Sequence, residues 1–186
     1  MIMEKSVQLL DAMAVNRAIT RLSYEIVEKT DDVSNVVLVG IKTRGIPMAR
    51  IIAEKISEHG GPSIPVEQLD ITFYRDDLSK YYDMPLARPV DFSMDLTGKE
   101  VILVDDVIYT GRTIRAAIDA VFSVSRPTKI RLAVLIDRGH RELPIKPDYV
   151  GKNVPTSQKE VIKVSFTETD GITAVDLYKK GDVSLG

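Results

Sequence analysis

The most prominent pattern along this chain is a set of apolar runs that polar residues do not interrupt. Residues 35–40, 101–104 and most of 129–137 are of this kind. A strand that is covered on both faces lacks the apolar–polar alternation of a strand with one wet face. We therefore predict three buried strands at these positions. Further strands are predicted at 66–74, where apolar and polar residues alternate, at 160–166 and at 174–178.

Apolar residues at helical spacing predict three helices. The first begins after Asp11, a suitable N-cap, and ends near Lys29. The second begins near Gly45, with Pro47 in its first turn. The third has its apolar face within residues 114–122. The alternation of strands and helices predicts an α/β protein with a parallel sheet, helices on both faces, and ligands beyond the carboxyl ends of the strands.

The composition is that of an ordinary globular protein. The 186 residues are predicted to form one domain, residues 1–186. The absence of cysteine excludes a disulfide framework and a thiolate metal site. No apolar stretch has the length of a membrane span or the features of a signal peptide, so we predict a cytoplasmic protein without membrane association. The net charge of −2 argues against indiscriminate nucleic-acid binding but is compatible with a local basic face.

An acidic pair and a small-residue turn follow the second buried strand. The strand runs into Asp105 and Asp106, and a Thr-Gly-Arg-Thr turn at 110–113 leads into the third helix. Backbone N–H groups and hydroxyls at a helix N-terminus form an anion site. The carboxylates would repel a bare phosphate, so they suit another part of the same ligand, such as ribose hydroxyls or Mg²⁺. We expect both carboxylates to be solvated because they come at the end of the strand.

A second turn of the same kind carries basic residues. The strand at 35–40 leads into Lys42 and Arg44, and the second helix follows. The basic side chains indicate a more anionic ligand than that of the first turn. Gly40 and Gly45 would allow the backbone to approach its neighbours closely.

A polar, irregular segment runs from Arg75 to about Leu96 and contains Pro85 and Pro89. A segment of this length without regular structure inside a compact domain is usually functional or mobile. It is therefore a candidate for ligand binding.

The string at 101–113, four apolar residues with Asp-Asp and Thr-Gly-x-Thr, resembles the signature of the type I phosphoribosyltransferases. In that family the acidic pair lies beside the ribose hydroxyls of 5-phosphoribosyl-1-pyrophosphate (PRPP), and the turn cradles its 5-phosphate. The resemblance implies a pyrophosphate loop at Lys42 and Arg44, and a loop that closes over PRPP with Arg75 and Lys80 as contacts. It implies the type I phosphoribosyltransferase fold: a mostly parallel twisted sheet flanked by helices, with a small hood and a flexible loop.

Further blocks narrow this resemblance. Residues 40–45, 70–78, 137–144 and 151–157 are similar to the bacterial bifunctional family of pyrimidine-operon attenuators and uracil phosphoribosyltransferases. The resemblance implies transfer of phosphoribose from PRPP to uracil, giving UMP and pyrophosphate. It also implies UMP-dependent binding of pyrimidine-operon leader mRNA, which favours transcription termination. We expect a homo-oligomer, a dimer or larger.

The resemblance also implies roles for particular residues. Catalytic roles fall on Lys42, Arg44, Asp105 and Asp106. Further substrate contacts fall on Thr43, Gly45, Arg75, Val107, Ile108, Tyr109, Thr110, Gly111, Arg112, Thr113, Arg138 and Val161. RNA contacts fall on Thr20, Arg21, Tyr24, His140, Arg141, Lys146 and Lys152. Mg²⁺ is the expected cofactor, held mainly through PRPP and without direct side-chain ligands.

Two positions in the RNA set depart from the commoner family pattern. Tyr24 stands where His is frequent, and its ring can stack on an unpaired base. Lys146 stands where Arg is frequent, and it keeps the charge but not the bidentate fork.

Two other interpretations stay open at this point. The signature specifies PRPP and not the base, so the chain could serve another nucleobase, purines included, without binding RNA. Alternatively, the PRPP site could be only a nucleotide sensor in a regulator. The intact Asp105-Asp106 and Lys42-Thr43-Arg44 argue against a site that has lost its activity.

Overall fold

A computed structural model describes residues 3–74 and 90–180 of the chain. Its regular elements are β1 (Met3–Leu10), α1 (Ala12–Glu28), β2 (Val36–Ile41), α2 (Gly45–Glu58), β3 (Val66–Leu69), β4 (Glu100–Ile108), α3 (Arg112–Val124), β5 (Lys129–Asp137), β6 (Tyr149–Asn153), β7 (Glu160–Ser165), α4 (Thr167–Asp170) and β8 (Ala174–Lys180). The predicted flexible loop runs from Arg75 to about Leu96, and its residues 75–89, with the contacts Arg75 and Lys80, lie outside the described part. Within the described ranges, no helix combines the length and the apolar character needed to cross a membrane.

The centre of the fold is a five-stranded parallel sheet with the strand order β3-β2-β4-β5-β6. β4 lies in the middle, paired with β2 on one side and with β5 on the other. Apolar side chains of α1 and α2 pack on one face, and those of α3 pack on the other, so two hydrophobic clusters enclose the sheet. The predicted parallel sheet with helices on both faces is confirmed.

A smaller antiparallel sheet with the order β1-β8-β7 forms the hood. The predicted strands at 160–166 and 174–178 correspond to β7 and β8, but they pair with each other, and β8 also pairs with β1. β1 and β6 are missing from the predicted elements. Both are edge strands of their sheets. Edge strands carry polar and charged residues that weaken the apolar pattern of a strand.

The predicted strand at 66–74 is too long, since β3 ends at Leu69. The Asp70 carboxylate accepts hydrogen bonds from Thr72 N at 3.0 Å and from Thr72 Oγ1 at 2.5 Å. The chain then enters a 3-10 turn at Thr72–Tyr74. A side chain that bonds the backbone two residues ahead offers the chain an alternative to the sheet ladder. Asp70 therefore ends the strand although the apolar alternation continues.

The turns with the candidate chemistry lie at the carboxyl edge of the parallel sheet. β2 ends at Ile41, β4 at Ile108 and β5 at Asp137. The register pairs Gly40 with Val104 and Ile108 with Asp137. Parallel strands end at the same edge, so the turns that follow these three strands come together there.

Close backbone packing holds the basic turn against β4, the strand that contains Asp105 and Asp106. A Cβ atom built on Gly45 would lie 2.2 Å from the Val104 carbonyl oxygen, and one built on Gly40 would lie 2.6 Å from Ile46 Cα. Both distances are below any normal contact. The predicted close approach at these two glycines is confirmed, and it sets the spacing between β4 and the start of α2.

The substitution Gly45→Ala should lower the free energy of unfolding by about 1–3 kcal/mol, because a methyl group here must displace backbone rather than a flexible side chain. Urea denaturation followed by circular dichroism measures this loss. Gly98→Ala is the comparison, since Gly98 has φ 78° but its Cβ would meet open space. That variant should lose only the strain of a left-handed residue, about 1 kcal/mol. Equal losses in the two variants would contradict the packing argument.

Candidate active site

The acidic pair lies inside the central strand, not beyond its end. Asp105 and Asp106 belong to β4, which continues to Ile108. Asp105 is only 7% exposed, and its Oδ1 accepts a hydrogen bond from Asp106 N at 2.9 Å. The expectation that both carboxylates are solvated is therefore wrong for Asp105. Helices pack on both faces of the sheet, so Asp105 stays covered, whereas Asp106 and Val107 are only half-buried.

This placement changes the electrostatics of the pair. Burial raises the pKa of the Asp106 carboxyl, while a hydrogen bond from the Asp105 side chain and the charge of Arg44 act in the opposite direction. The ionised carboxylate thus costs free energy in this position unless a cation or a hydrogen-bond donor satisfies it. A ligand with hydroxyl groups or a metal ion would supply such a partner.

The Thr-Gly-Arg-Thr turn forms one wall of a first cavity. Gly111 is the N-cap of α3 and has φ 93°, a conformation that favours glycine. Arg112 N donates to Thr110 Oγ1 at 3.3 Å. The cavity has a volume of about 320 Å³ and is lined by Asp105, Val107, Ile108, Tyr109, Thr110, Gly111, Arg112, Thr113, Ile114 and Glu142. The structure thus brings the predicted turn residues together around one space at a helix N-terminus.

Glu142 is a further residue at this cavity, and the sequence patterns assign no role to it. Its Oε2 accepts a hydrogen bond from Arg112 Nε at 2.7 Å. The backbone N–H groups of Glu142 and Leu143 donate to the Thr110 carbonyl at 2.9 and 3.1 Å. The segment after β5 is therefore bonded directly to the turn. A phosphate in this cavity would share Arg112 with the Glu142 carboxylate.

The basic turn lines a second cavity of about 410 Å³. Its lining consists of Ile41, Lys42, Thr43, Arg44, Asp70, Ile71, Thr72, Asp105, Asp106, Val107 and Thr113. Lys42 Nζ lies 3.0 Å from Asp70 Oδ2. Hydrogen bonds from the Thr72 side chain and backbone, together with Lys42, lower the pKa of Asp70 to about 2. The two cavities share Asp105, Val107 and Thr113, so they adjoin each other across the acidic strand.

A third cavity lies between the basic turn and the hood. It has a volume of about 440 Å³ and is lined by Arg44, Asp106, Val161, Ile162, Lys163, Val164 and Tyr178. Val161, a predicted substrate contact in β7, therefore lies at the same space as Arg44 and Asp106. The Arg44 guanidinium is bound to Asp170, a residue of α4 that no local pattern connects with it.

Comparison with known proteins agrees with this arrangement. The family model described as the phosphoribosyl transferase domain matches residues 6–169. The chain belongs to the phosphoribosyltransferase family. Among curated relatives, the protein named "Bifunctional protein PyrR" of Acetivibrio thermocellus is 54% identical over 170 residues, covering 91% of this chain and 92% of its own. The protein of the same name from Oceanobacillus iheyensis is 52% identical over 180 residues, covering 96% and 100%.

Solved structures confirm the predicted type I phosphoribosyltransferase fold. The hypoxanthine phosphoribosyltransferase of Trypanosoma cruzi has a TM-score of 0.71 at 15% identity and covers 95% of this chain and 98% of its own. The hypoxanthine phosphoribosyltransferase of Staphylococcus aureus has a TM-score of 0.69 at 16% identity and covers 92% of each chain. At such low identity the likeness shows the fold alone, so it does not select a base for this phosphoribosyltransferase.

In this phosphoribosyltransferase, Arg138 connects the end of β5 to the hood. Its Nε donates to Thr156 Oγ1 at 3.0 Å, and its Nη2 donates to the Glu160 carbonyl at 2.7 Å. Its Cζ lies 4.1 Å from the centroid of the Tyr109 ring. Burial lowers the pKa of this guanidinium. Arg138 thus holds the segment that leads into β7 against Tyr109, which precedes the Thr-Gly-Arg-Thr turn at 110–113.

Three of the predicted RNA contacts lie on α1. Arg21 Nη2 donates to the carbonyls of Val150 and Gly151 in β6, at 3.0 and 2.5 Å. The fold therefore brings Arg21 next to Lys152, which is exposed. Tyr24, half exposed, packs edge to face against His59 with the ring centroids 4.8 Å apart. Thr20 donates its hydroxyl to the Asn16 carbonyl within the helix.

The remaining predicted RNA contacts follow the end of β5. Lys146 is exposed, and the His140 imidazole is hydrogen-bonded to the Thr156 carbonyl. The RNA contact of Arg141 stays a prediction, and in the structure this side chain is largely engaged within the protein. Its guanidinium is 22% exposed and donates to Asp137 Oδ2 at 2.6 Å and to the carbonyls of Tyr109 and Ile145. Its donors are used to order the turn, because this turn has backbone carbonyls that no regular element satisfies.

The substitution Asp106→Asn should raise the stability of the protein at pH 7 and lower its activity. The folded pKa of Asp106 lies above the ordinary value of 3.8, so the free energy of unfolding falls as the pH rises through the raised value. Removing the charge should therefore raise Tm at pH 7, and the gain should vanish below pH 3.8, where both side chains are neutral. Phosphoribosyl transfer should fall about 100-fold because a group aimed at the developing charge is lost. Calorimetry at the two pH values and an activity assay check this, and a lower Tm at pH 7 would contradict it.

Proposed function

We propose that this chain transfers phosphoribose from PRPP to uracil, giving UMP and pyrophosphate, and that it also binds pyrimidine-operon leader mRNA in response to UMP. One observation supports the enzymatic part above all: the acidic pair, the phosphate turn and the basic turn surround adjoining cavities that share Asp105, Val107 and Thr113. For the RNA part, the support is relatives at 52–54% identity whose name describes them as bifunctional.

The proposed placement of PRPP follows from charge. The 5-phosphate would occupy the cavity at residues 110–113, where backbone N–H groups begin α3. The pyrophosphate would lie at the basic turn with Lys42, Thr43, Arg44 and Gly45. The ribose between them would place its hydroxyls at Asp105 and Asp106, which supplies the partners that a buried carboxylate needs. Arg75, another proposed contact, lies outside the described residues.

Catalysis in this proposal is mainly positioning and electrostatics. As the pyrophosphate leaves, positive charge develops on the sugar, and the negative potential of Asp105 and Asp106 stabilises it. Lys42 and Arg44 stabilise the charge that grows on the pyrophosphate. Mg²⁺ bound through PRPP would supply further neutralisation of the leaving group. The oxygen donors of Asp105 and Asp106 at the border of the second cavity fit a hard cation of this kind.

The third cavity is the proposed site of the base. β7 is the edge strand of the hood, paired with β8 on one side only. The N–H and C=O groups on the open side of an edge strand are available to a ligand. Uracil offers alternating C=O and N–H groups of matching polarity. Val161 lies at this cavity together with Arg44 and Asp106, so the base would be next to the reacting carbon.

The enzymatic proposal is tested by product analysis with PRPP and Mg²⁺. Uracil, orotate, hypoxanthine and adenine are supplied one at a time, and the nucleotide and pyrophosphate formed are measured by chromatography. We expect UMP from uracil and no more than background product from the other bases. If a purine nucleotide is the main product, the proposed substrate is wrong and the enzyme acts on a purine. If no base gives a product, the chain is a nucleotide sensor and not an enzyme.

The proposed RNA face comprises α1 and the edge strand β6, with Arg21 and Lys152 side by side. The segment after β5, which carries the predicted RNA contact His140, supports a connection to the proposed nucleotide site. Arg141 donates to the Tyr109 carbonyl at 2.9 Å, and two backbone N–H groups of the same segment donate to the Thr110 carbonyl. A phosphate bound at the turn therefore contacts residues that are bonded to the segment with His140. If UMP tightens RNA binding, linkage requires that RNA tightens UMP binding equally.

Two surface lysines give a matched test of the RNA face. Lys152→Ala should weaken binding of a pyrimidine leader RNA in the presence of UMP and reduce the salt slope by about 0.7, as for one lost phosphate contact on a single strand. Lys129→Ala is the control. Lys129 is the first residue of β5, at the end of the strand opposite to the ligand turns, and its side chain pairs with Glu100 at 3.5 Å. Filter binding over a range of salt concentrations measures both. Uracil transfer should stay unchanged, and equal RNA affinity in the two variants would contradict the assignment.

The remaining parts of the proposal concern the state of the protein in the cell. We propose that residues 1–186 act as one domain within a homo-oligomer, a dimer or larger. A cytoplasmic location is proposed because PRPP, uracil and nascent mRNA are met there. These points follow from the proposed reaction and RNA partner.

A further inference from the structure

The ion pair between Arg44 and Asp170 connects two parts of the site that are 126 residues apart in the chain. We propose that Asp170 is a positioning residue: it holds the Arg44 guanidinium at the border between the second and third cavities and away from the acidic pair. This inference rests on the proposed function, since it concerns the residue assigned to pyrophosphate.

The geometry is that of a two-point clamp. Asp170 Oδ1 accepts from Arg44 Nη2 at 2.8 Å, and Asp170 Oδ2 accepts from Arg44 Nε at 3.2 Å. Such a fork fixes the plane of the guanidinium as well as its distance. Nη1 takes no part in this fork, which leaves it as the guanidinium nitrogen that we propose for an anionic ligand. The side chains of Arg44 and Asp170 are 32% and 17% exposed, so the pair is largely removed from water.

The carboxylate is itself held in place. Oδ2 of Asp170 also accepts from Phe166 N and from Thr169 Oγ1, both at 3.0 Å. Phe166 is buried, and Gly171 ends α4 in a left-handed conformation with φ 75°. Asp170 is therefore anchored to the hood between β7 and β8. Arg44 receives its orientation from the hood, not from its own turn.

The position of Arg44 explains why such an anchor is needed. Arg44 lines both the second and the third cavity, and Asp106 lines both with it. The hydrogen bonds that Arg44 donates to Asp170 raise the pKa of Arg44 most, and the negative charge of Asp106 raises it by a smaller amount. Without Asp170, the guanidinium would turn towards Asp106 and occupy the space in which the ribose and the pyrophosphate are proposed to bind. Asp170 stays ionised at any working pH, because Arg44 lowers its pKa to about 2.

A second ion pair from the same short helix provides an internal control. Glu168 of α4 pairs with Arg50 of α2, but their side chains are 50% and 47% exposed. Exposed pairs of this kind contribute little to stability or geometry. Both pairs connect α4 with the region of α2, so a general loosening of this contact would affect both variants. An effect confined to Asp170 therefore comes from the contacts of Asp170 itself, and a cycle with Arg44 identifies which of them is responsible.

The experiment compares Asp170→Asn with Glu168→Gln in uracil transfer. Asp170→Asn should raise KM for PRPP about tenfold, the loss typical of a charge-assisted hydrogen bond, while KM for uracil changes by less than about twofold. The Kd for PRPP and Mg²⁺, measured by calorimetry without uracil, should rise to the same extent. The Glu168→Gln variant should have the same KM values and the same Kd for PRPP as the wild-type protein. Tm of each variant is recorded to exclude a loss of folded protein.

A double-mutant cycle distinguishes positioning from a separate structural role. In the Arg44→Ala background, Asp170→Asn should change the Kd for PRPP by less than about twofold, since the residue it positions is gone. Independent, additive effects would overturn the inference, and so would equal effects of Asp170→Asn and Glu168→Gln. A protein that binds PRPP and shows this cycle but makes no UMP would contradict the proposed function and leave the positioning role supported.

Discussion

The constraint on which this structure depends is the position of two adjacent carboxylates, one buried and one half-buried, in the central strand of a parallel sheet. Asp105 is covered, and burial raises the pKa of Asp106. Negative charge in such a place is unfavourable by itself and is stabilised only by partners brought in from elsewhere. Two turns that favour anionic ligands flank the pair, and the basic one lies within close backbone contact of the same strand. The site is thus arranged to hold a ligand that carries both donors for the carboxylates and phosphates for the turns.

The second feature is that arginines at the carboxyl edge of the sheet are bound to the hood. Arg44 reaches Asp170, and Arg138 reaches Thr156 and the Glu160 carbonyl. Both contacts flank β7, the edge strand that borders the third cavity. The proposed base site and the proposed PRPP site are therefore both bordered by residues of the parallel sheet and of the hood. This arrangement suits a reaction in which the distance between two substrates determines the rate.

The same principle connects the nucleotide site to the proposed RNA face. The carbonyls of Tyr109 and Thr110 accept hydrogen bonds from the segment after β5, and the His140 imidazole of this segment is hydrogen-bonded to the Thr156 carbonyl between β6 and β7. Arg141 holds this segment in place through its hydrogen bonds to the Tyr109 carbonyl and to Asp137. Nucleotide-dependent RNA binding requires that two sites bias one shared element, and the segment at 138–145 is placed to be that element.

Local patterns in the sequence determined much of this protein: the buried strands β2, β4 and β5, the helix that follows the N-cap Asp11, the acidic pair, and the two βα turns with ligand residues. These features depend on neighbours within a few residues, so a single chain shows them. Only the tertiary structure decided which distant groups meet. It paired β8 with both β1 and β7, buried Asp105, directed Arg141 inwards, and joined Arg44 to Asp170. The physical reason is that burial and long-range ion pairs depend on which strands become neighbours, and no local periodicity encodes that choice.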